Sequence, residues 1–214
     1  MSSDINYLFC SLSDRPEFSE PMFHHLSNYC SKHNYKCVLE EESLDTSRYP
    51  AWSKIKLLQR EMKNNPKIHT IVWIDDDILI TNQNLKFEDL IRDYTFENIL
   101  MSEEIHPPFN SGVMVCKNNQ TTYDYLEHIW NLCEEHPRYK QDGLWEQSIM
   151  GIDYQSDKSK IKLIPHNIIQ SFYRDWDLPE NLKWKPGHWA AHITGMDLSK
   201  RIYFRNEIIN NHLI

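Results

Sequence analysis

The stretch "TIVWIDDDILI", residues 70–80, constrains the fold more than any other. Ile71, Val72, Trp73 and Ile74 form an unbroken apolar run with no position left to face water. Such a run reads as a strand buried on both faces, which requires cover on both sides of its sheet. Asp75, Asp76 and Asp77 follow at once. Adjacent carboxylates repel one another, so the cluster needs a cation, donors or water around it. In open α/β sheets the carboxyl edge of the strands is where ligands bind.

The rest of the chain supplies that cover. "NYLFC" (6–10), "KCVLE" (36–40), "NILMSEE" (98–104), "SGVMVCK" (111–117), "KIKLIP" (160–165) and "HWAAHITG" (188–195) read as strands. Helices are expected over "PMFHHLSNYCSKH" (21–33), "NLKFEDLIRDY" (84–94), "QTTYDYLEHIWNLCEEH" (120–136) and "LWEQSIMGI" (144–152). Another lies between Pro50 and Pro66, with Trp52, Ile55, Leu58 and Met62 on one stripe. This alternation implies an α/β fold: a mainly parallel, Rossmann-like sheet flanked by helices. No Gly/Ser linker interrupts it, so one domain is expected over 1–214. The regular half runs to about 102, and a more irregular half follows from about 103.

Charge and cysteine usage narrow the class. A net charge of -8 argues against nucleic-acid partners, which favour a basic face. The five cysteines are odd in number and none is spaced as CxxC. A zinc ribbon or disulfide framework is therefore not expected, and a reducing compartment fits. "MSSDINYLFCSLSD" has no basic start and no long apolar stretch, so neither a signal peptide nor a membrane anchor is expected here. A cytoplasmic location follows as an expectation.

Several constellations could carry chemistry. Hard divalent cations prefer carboxylate oxygen, and Mn2+ also accepts imidazole, so the aspartates are candidate ligands. The plain alternative is a turn whose acids cap a helix or pair with lysine. His192 joins them only if the fold brings it to Asp77; otherwise it is a satisfied core histidine. Asn110, Ser111 and Gly112 form a turn into a buried strand that offers short polar groups to a sugar. Glu146 and Gln147 could steady positive charge on a sugar carbon, or simply face solvent. Lys54 could reach phosphate or donor sugar. The loop "CSLSDR" carries Ser11, Leu12, Ser13, Asp14 and Arg15 and would face base and ribose. It lacks GxGxxG, which disfavours a dinucleotide fold.

The ordered set "WSKIKLLQREM…IVWIDDDILI…NSGVMVCKN…WEQSIM…HITG" resembles the GT-A-fold nucleotide-sugar glycosyltransferases. The similarity is greatest to galactosyl-, mannosyl- and xylosyltransferases of the yeast Golgi and plant xyloglucan type; in size and in the absence of a membrane stem the chain also resembles chlorovirus transferases of the capsid glycan. It spans roughly residues 50–195. The resemblance implies Mn2+ or Mg2+ held by Asp75, Asp77 and His192, with Asp75 also on ribose and Asp76 in the variable middle position. It implies Gly195 on phosphate, Lys54 facing the donor, and Asn110, Ser111 and Gly112 lining the sugar pocket. It places Glu146 and Gln147 beside the anomeric carbon, where many relatives carry Asp in place of the Glu. Lys200 is the nearest match to a phosphate lysine that follows H-x-x-G, at a longer spacing.

The implied reaction moves a sugar from a UDP-sugar to a glycan or glycoprotein hydroxyl, with retention. The donor could be glucose-, galactose-, xylose- or rhamnose-type. An inverting route would need a base, for which Glu103, Asp175 and Asp177 are candidates. The acceptor is expected along "SFYRDWD", on Tyr173, Arg174, Trp176 and Asp177. Further domains of a longer polypeptide are also expected. A metal-dependent phosphohydrolase and a non-catalytic nucleotide-sugar binder remain as other readings.

Overall fold

The computed structural model describes residues 6–104, 108–140, 142–174 and 177–212. The chain opens with β1 (Tyr7–Leu12), α1 (Pro16–His33), β2 (Lys36–Glu40), α2 (Ser53–Asn64) and β3 (Thr70–Ile74). It continues through β4 (Ile78–Ile80), α3 (Phe87–Ile91), β5 (Ile99–Glu103), β6 (Phe109–Lys117) and α4 (Gln120–Glu135). The last part holds α5 (Trp145–Ser156), β7 (Ile161–Ile164), β8 (Ser171–Phe172), β9 (Ala190–His192) and α6 (Leu198–His212).

Six strands form the main sheet in the order β2-β1-β3-β6-β5-β7. Only β6 is reversed, pairing antiparallel with both β3 and β5. The expected mainly parallel sheet is thus present, with one antiparallel strand inside it. Alternation along the strands divides the core. Leu8, Cys10, Ile71 and Trp73 pack on the side of α2, α4 and α5, with Trp52, Ile55, Leu126, Ile129 and Ile149. Phe9, Val72 and Ile74 pack on the other side, with Leu26 and Tyr29 of α1 and Phe87 of α3. Every residue of β3 is buried, which explains its unbroken apolar run.

The reversal of β6 positions the site. Its first residues lie at the same sheet edge as the last of β3, and Asp75 N–H donates to Gly112 O at 2.8 Å. Asn110, Ser111 and Gly112 therefore lie inside the strand and not in a turn before it. Asn110 Oδ1 accepts from Gly112 N–H at 2.8 Å, so the side chain folds back on its own strand.

A small second sheet, β4-β9-β8, lies beyond the acids. β9 runs antiparallel to β4, with Ile78 opposite His192. The sequence patterning did not mark β4 as a strand. Nor did it mark α6, which packs Ile208 and Phe204 with Met22 and Leu79. Helix α1 begins at Pro16, five residues earlier than expected, and carries Pro21 inside it. Proline lacks the N–H that would meet the carbonyl four residues back. Arg205 of α6 lies 3.5 Å from that Glu17 carbonyl and donates to Phe18 O at 2.8 Å. Among the described residues no helix is long and apolar enough to cross a membrane.

Candidate active site

The acids line a cleft of about 480 Å³ at the carboxyl edge of β1 and β3. Leu12, Ser13, Arg15, Lys54, Asn110, Ser111, Glu146, Gln147, His192 and Gly195 also line it. Ser11 does not; it is buried within β1. Gly112 sits behind the wall.

Each aspartate has a different partner. Asp75 Oδ1 accepts from Trp73 Nε1 at 2.5 Å and lies 3.0 Å from Lys54 Nζ. Burial lifts its pKa to about 6 against the pull of Lys54. Asp76 accepts from Ser13 Oγ at 2.5 Å and from Arg15 Nη2 at 2.6 Å. It ties the loop after β1 to the site, while burial still pushes its pKa up. Asp77 Oδ2 accepts from Arg201 Nη1 at 2.8 Å. Burial works to raise the Asp77 pKa as well, but His192 and Arg201 outweigh it and hold it at about 2.

Ligand atoms of Asp75, Asp77 and His192 all lie within 4.8 Å of one another. His192 Nε2 is 3.0 Å from Asp77 Oδ1, yet that oxygen is buried without an aligned donor. With the imidazole neutral and its proton on Nδ1, Nε2 and that oxygen would form a donor set for a cation such as Mn2+ or Mg2+. His192 Nδ1 is likewise buried without a hydrogen-bond partner. Glycine at 112 makes the arrangement possible. A Cβ there would stand 2.6 Å from His192 Cε1 and 2.8 Å from Asn110 Oδ1.

The second cluster is built around Lys54, which is buried beneath the cleft. Its Nζ donates to Glu146 Oε1 at 2.6 Å and to Ser111 O at 3.0 Å. The carboxylates on both sides raise its pKa against the opposing effect of burial. Lys54 is therefore the counter-ion of Asp75 and Glu146, so the pairing with lysine weighed for the aspartates is present at Asp75. Ser111 N–H donates to Gln147 Oε1 at 2.7 Å, and Ser111 Oγ to Glu146 Oε1 at 2.9 Å. Glu146 Oε2 remains buried without a hydrogen-bond partner. The acid–amide pair is thus packed, not a solvated helix face.

Gly195 adopts φ 76, a left-handed backbone that glycine takes without strain. The cation that reaches the aspartates from the C-terminal helix is Arg201, not Lys200. The basic pair was visible in the sequence, but only the phase of α6 selects between its members. Glu104, not Glu103, lines the cleft. Tyr173 packs edge-on against Trp184 and Phe204, with ring centroids 5.4 Å apart in each case. It does not line the cleft. Arg174 lines the cleft, whereas Asp177 is exposed outside it. Asp175 and Trp176 lie outside the described residues.

Three aspartates after a buried strand, a late histidine brought to them and a reversed polar strand beside them form the candidate site of a GT-A-like α/β domain. The galactosyl transferase GMA12/MNN10 family matches residues 9–108. A probable alpha-1,2-galactosyltransferase, gmh2, of Schizosaccharomyces pombe is 25% identical over 214 aligned positions, covering 81% of this chain and 59% of its own length. Probable glycosyltransferase 2 of Oryza sativa subsp. indica is 28% identical over 108 residues, covering 47% of this chain and 22% of its own. The crystal structure of a glycosyltransferase involved in glycosylation of the major capsid of PBCV-1 superposes with TM-score 0.74. It is 17% identical, with 94% of this chain and 98% of that one covered. The chain thus has a GT-A-like fold and, over residues 9–108, is similar to the galactosyl transferase GMA12/MNN10 family. It spans less than two thirds of the length of these curated relatives.

Proposed function

We propose that the chain transfers a sugar from a UDP-sugar to a glycan hydroxyl, with retention at the anomeric carbon. The observation that carries this reading is the juxtaposition of Asp75, Asp77 and His192, with an undonated Asp77 oxygen facing the imidazole. These residues would hold Mn2+ or Mg2+. Once bound, the ion neutralises charge that grows on the departing diphosphate.

The chain's own groups do the rest. Ser13 and Leu12 flank the nucleoside end of the cleft. Arg15, Arg201 and the backbone at Gly195 supply positive potential for the diphosphate. Asn110 and Ser111 line the sugar pocket, above the buried Lys54. Glu146, fixed by Lys54 and Ser111, presents a carboxylate toward positive charge developing on the sugar, and Gln147 adds its amide dipole. In a front-face route the leaving phosphate oxygen accepts the proton of the attacking hydroxyl. That route needs no separate base. The donor sugar is glucose-, galactose-, xylose- or rhamnose-type. The likeness to a viral capsid transferase supports a role in capsid-glycan synthesis, and the five free thiols support a cytoplasmic setting, a host's if the chain is viral.

Calorimetric titration of UDP with and without Mn2+, on wild type and Asp77→Ala, tests the site. Metal-dependent binding abolished by the substitution supports it. Binding indifferent to both returns the aspartates to a structural turn. Product analysis with UDP-sugars then separates transfer to sugar from release of inorganic phosphate and from binding without turnover.

A further inference from the structure

Beyond the acids the cleft changes character. Tyr49 and Trp145 stack face to face, centroids 4.8 Å apart and planes inclined by 6°. Both line the same cleft, beside Leu144 and Pro50. Among the described residues the large exposed apolar side chains are Tyr49 at 53%, Leu144 at 45%, Leu198 at 40% and Tyr203 at 64%. Two of these four face one cleft. Single exposed apolar residues are ordinary, but a group gathered in a binding cleft marks a ligand surface.

The backbone holds this surface in place. Trp145 has φ 45, a left-handed conformation uncommon for a bulky residue. Asp142 Oδ1 accepts from Leu144 N–H at 3.0 Å and Trp145 N–H at 2.7 Å, and Asp142 Oδ2 from Ser148 Oγ at 2.5 Å. Strain of this kind persists where the surroundings enforce it, and it gathers at functional sites. The platform is also joined to the sugar pocket by both chains that form it. Trp145 precedes Glu146, and Tyr49 enters the turn that leads into the helix of Lys54. On its far side, Tyr49 and Pro50 form a wall of a second hollow of about 390 Å³, lined by Thr46, Ser47, Arg48 and Lys140.

Sugar rings carry an apolar C–H face and a polar rim. A rigid aromatic face with polar groups beyond it matches both. We propose that Tyr49, Leu144 and Trp145 form an acceptor subsite for an oligosaccharide. The reacting sugar lies at Glu146 and Gln147, its neighbour packs on the aromatic pair, and the chain continues into the second hollow. The proposal rests on the transferase reading and names the acceptor class for the same site. It moves the acceptor away from the Tyr173 segment.

The test uses the full chain, with UDP-glucose, UDP-galactose and UDP-xylose as donors and gluco-, manno- and xylo-oligosaccharides as acceptors. Tyr49→Ala is expected to raise the KM of the best oligosaccharide about tenfold, with UDP affinity within twofold of wild type and Tyr49→Phe near wild type. The Trp145 indole N–H resonance, assigned with Trp145→Phe, should shift with oligosaccharides and much less with monosaccharides. An unchanged acceptor KM in Tyr49→Ala, or an indole resonance that no oligosaccharide moves, overturns the proposal. A loss of UDP affinity in Tyr49→Ala also overturns it, because the stack then serves the base. Failure of wild type to bind UDP with Mn2+ instead sinks the transferase reading, and the indole titration still decides whether the platform binds sugars.

Discussion

Gly112→Ala puts one methyl group against the histidine of the cation site. The backbone at 112 tolerates alanine, because its φ lies outside the left-handed region, so the effect is steric alone. The new Cβ would lie 2.6 Å from His192 Cε1, about 0.8 Å short of the 3.4 Å where ordinary contact begins. Asn110 Oδ1 at 2.8 Å and Ile78 Cδ1 at 3.0 Å close the other directions. The ring must therefore shift by several tenths of an ångström at least. Metal–ligand distances tolerate about 0.2 Å. Mn2+-dependent UDP affinity should fall at least about tenfold, or about 1.4 kcal/mol. Overpacking of this kind costs about 1–3 kcal/mol of stability, a fall of about 2–12 °C in Tm for a chain of this size. Calorimetry with UDP and Mn2+ measures the first effect, and a thermal melt without metal measures the second. Affinity within twofold of wild type would show that His192 does not hold the ion, or that the wall yields without effort.

Lys54→Met leaves Asp75 and Glu146 without their shared cation. The variant should lose about 3 kcal/mol at pH 8 by urea unfolding, less at pH 5 where Asp75 can take up a proton, and recover when Glu146→Gln is added. Buried His166 donates through Nδ1 to Glu103 O at 3.1 Å, and burial pulls its pKa down from 6.5 to about 4. The unfolded chain therefore takes the proton more readily. This group's contribution is full above about pH 6.5 and falls by about 3 kcal/mol as pH drops through about 4. Asp75, raised to about 6, works in the opposite direction in the same window. The comparison that isolates His166 is wild type against His166→Phe, whose stability should vary less between pH 7 and pH 4.

What could be read from the sequence follows the strength of local patterning. Burial on both faces wrote β3 as an unbroken apolar run, and the acids at its end marked the ligand edge. The stripe of Trp52, Ile55, Leu58 and Met62 marked α2 equally well. Of the small sheet only β9 was marked, within "HWAAHITG"; β4 and β8, of three and two residues, are too short for any periodicity to register. Helix α6 buries little of itself beyond Ile208 and Arg205, so its apolar stripe is thin. Arg201 went unnoticed with it. The burial of Lys54 depends on Asp75 and Glu146, partners far away in the chain, and no local window holds that information. The Tyr49–Trp145 stack is likewise a contact between distant segments.

The pairing of Ile78 with His192 has a consequence for how the protein is made. Asp77 and Arg201, hydrogen-bonded in the finished fold, are 124 residues apart in the chain. Contacts this distant must overcome the entropy of a long loop before they stabilise anything, which slows their formation. A growing chain can lay down β1, α1, β2 and β3 well before β9 and α6 emerge. Asp77 would then wait at a sheet edge with neither His192 nor Arg201 beside it. Cation affinity is therefore acquired last, when the C-terminal segment docks. A Mn2+ titration during refolding would act as a clock for that final event, lagging behind the far-ultraviolet signal of the sheet and helices.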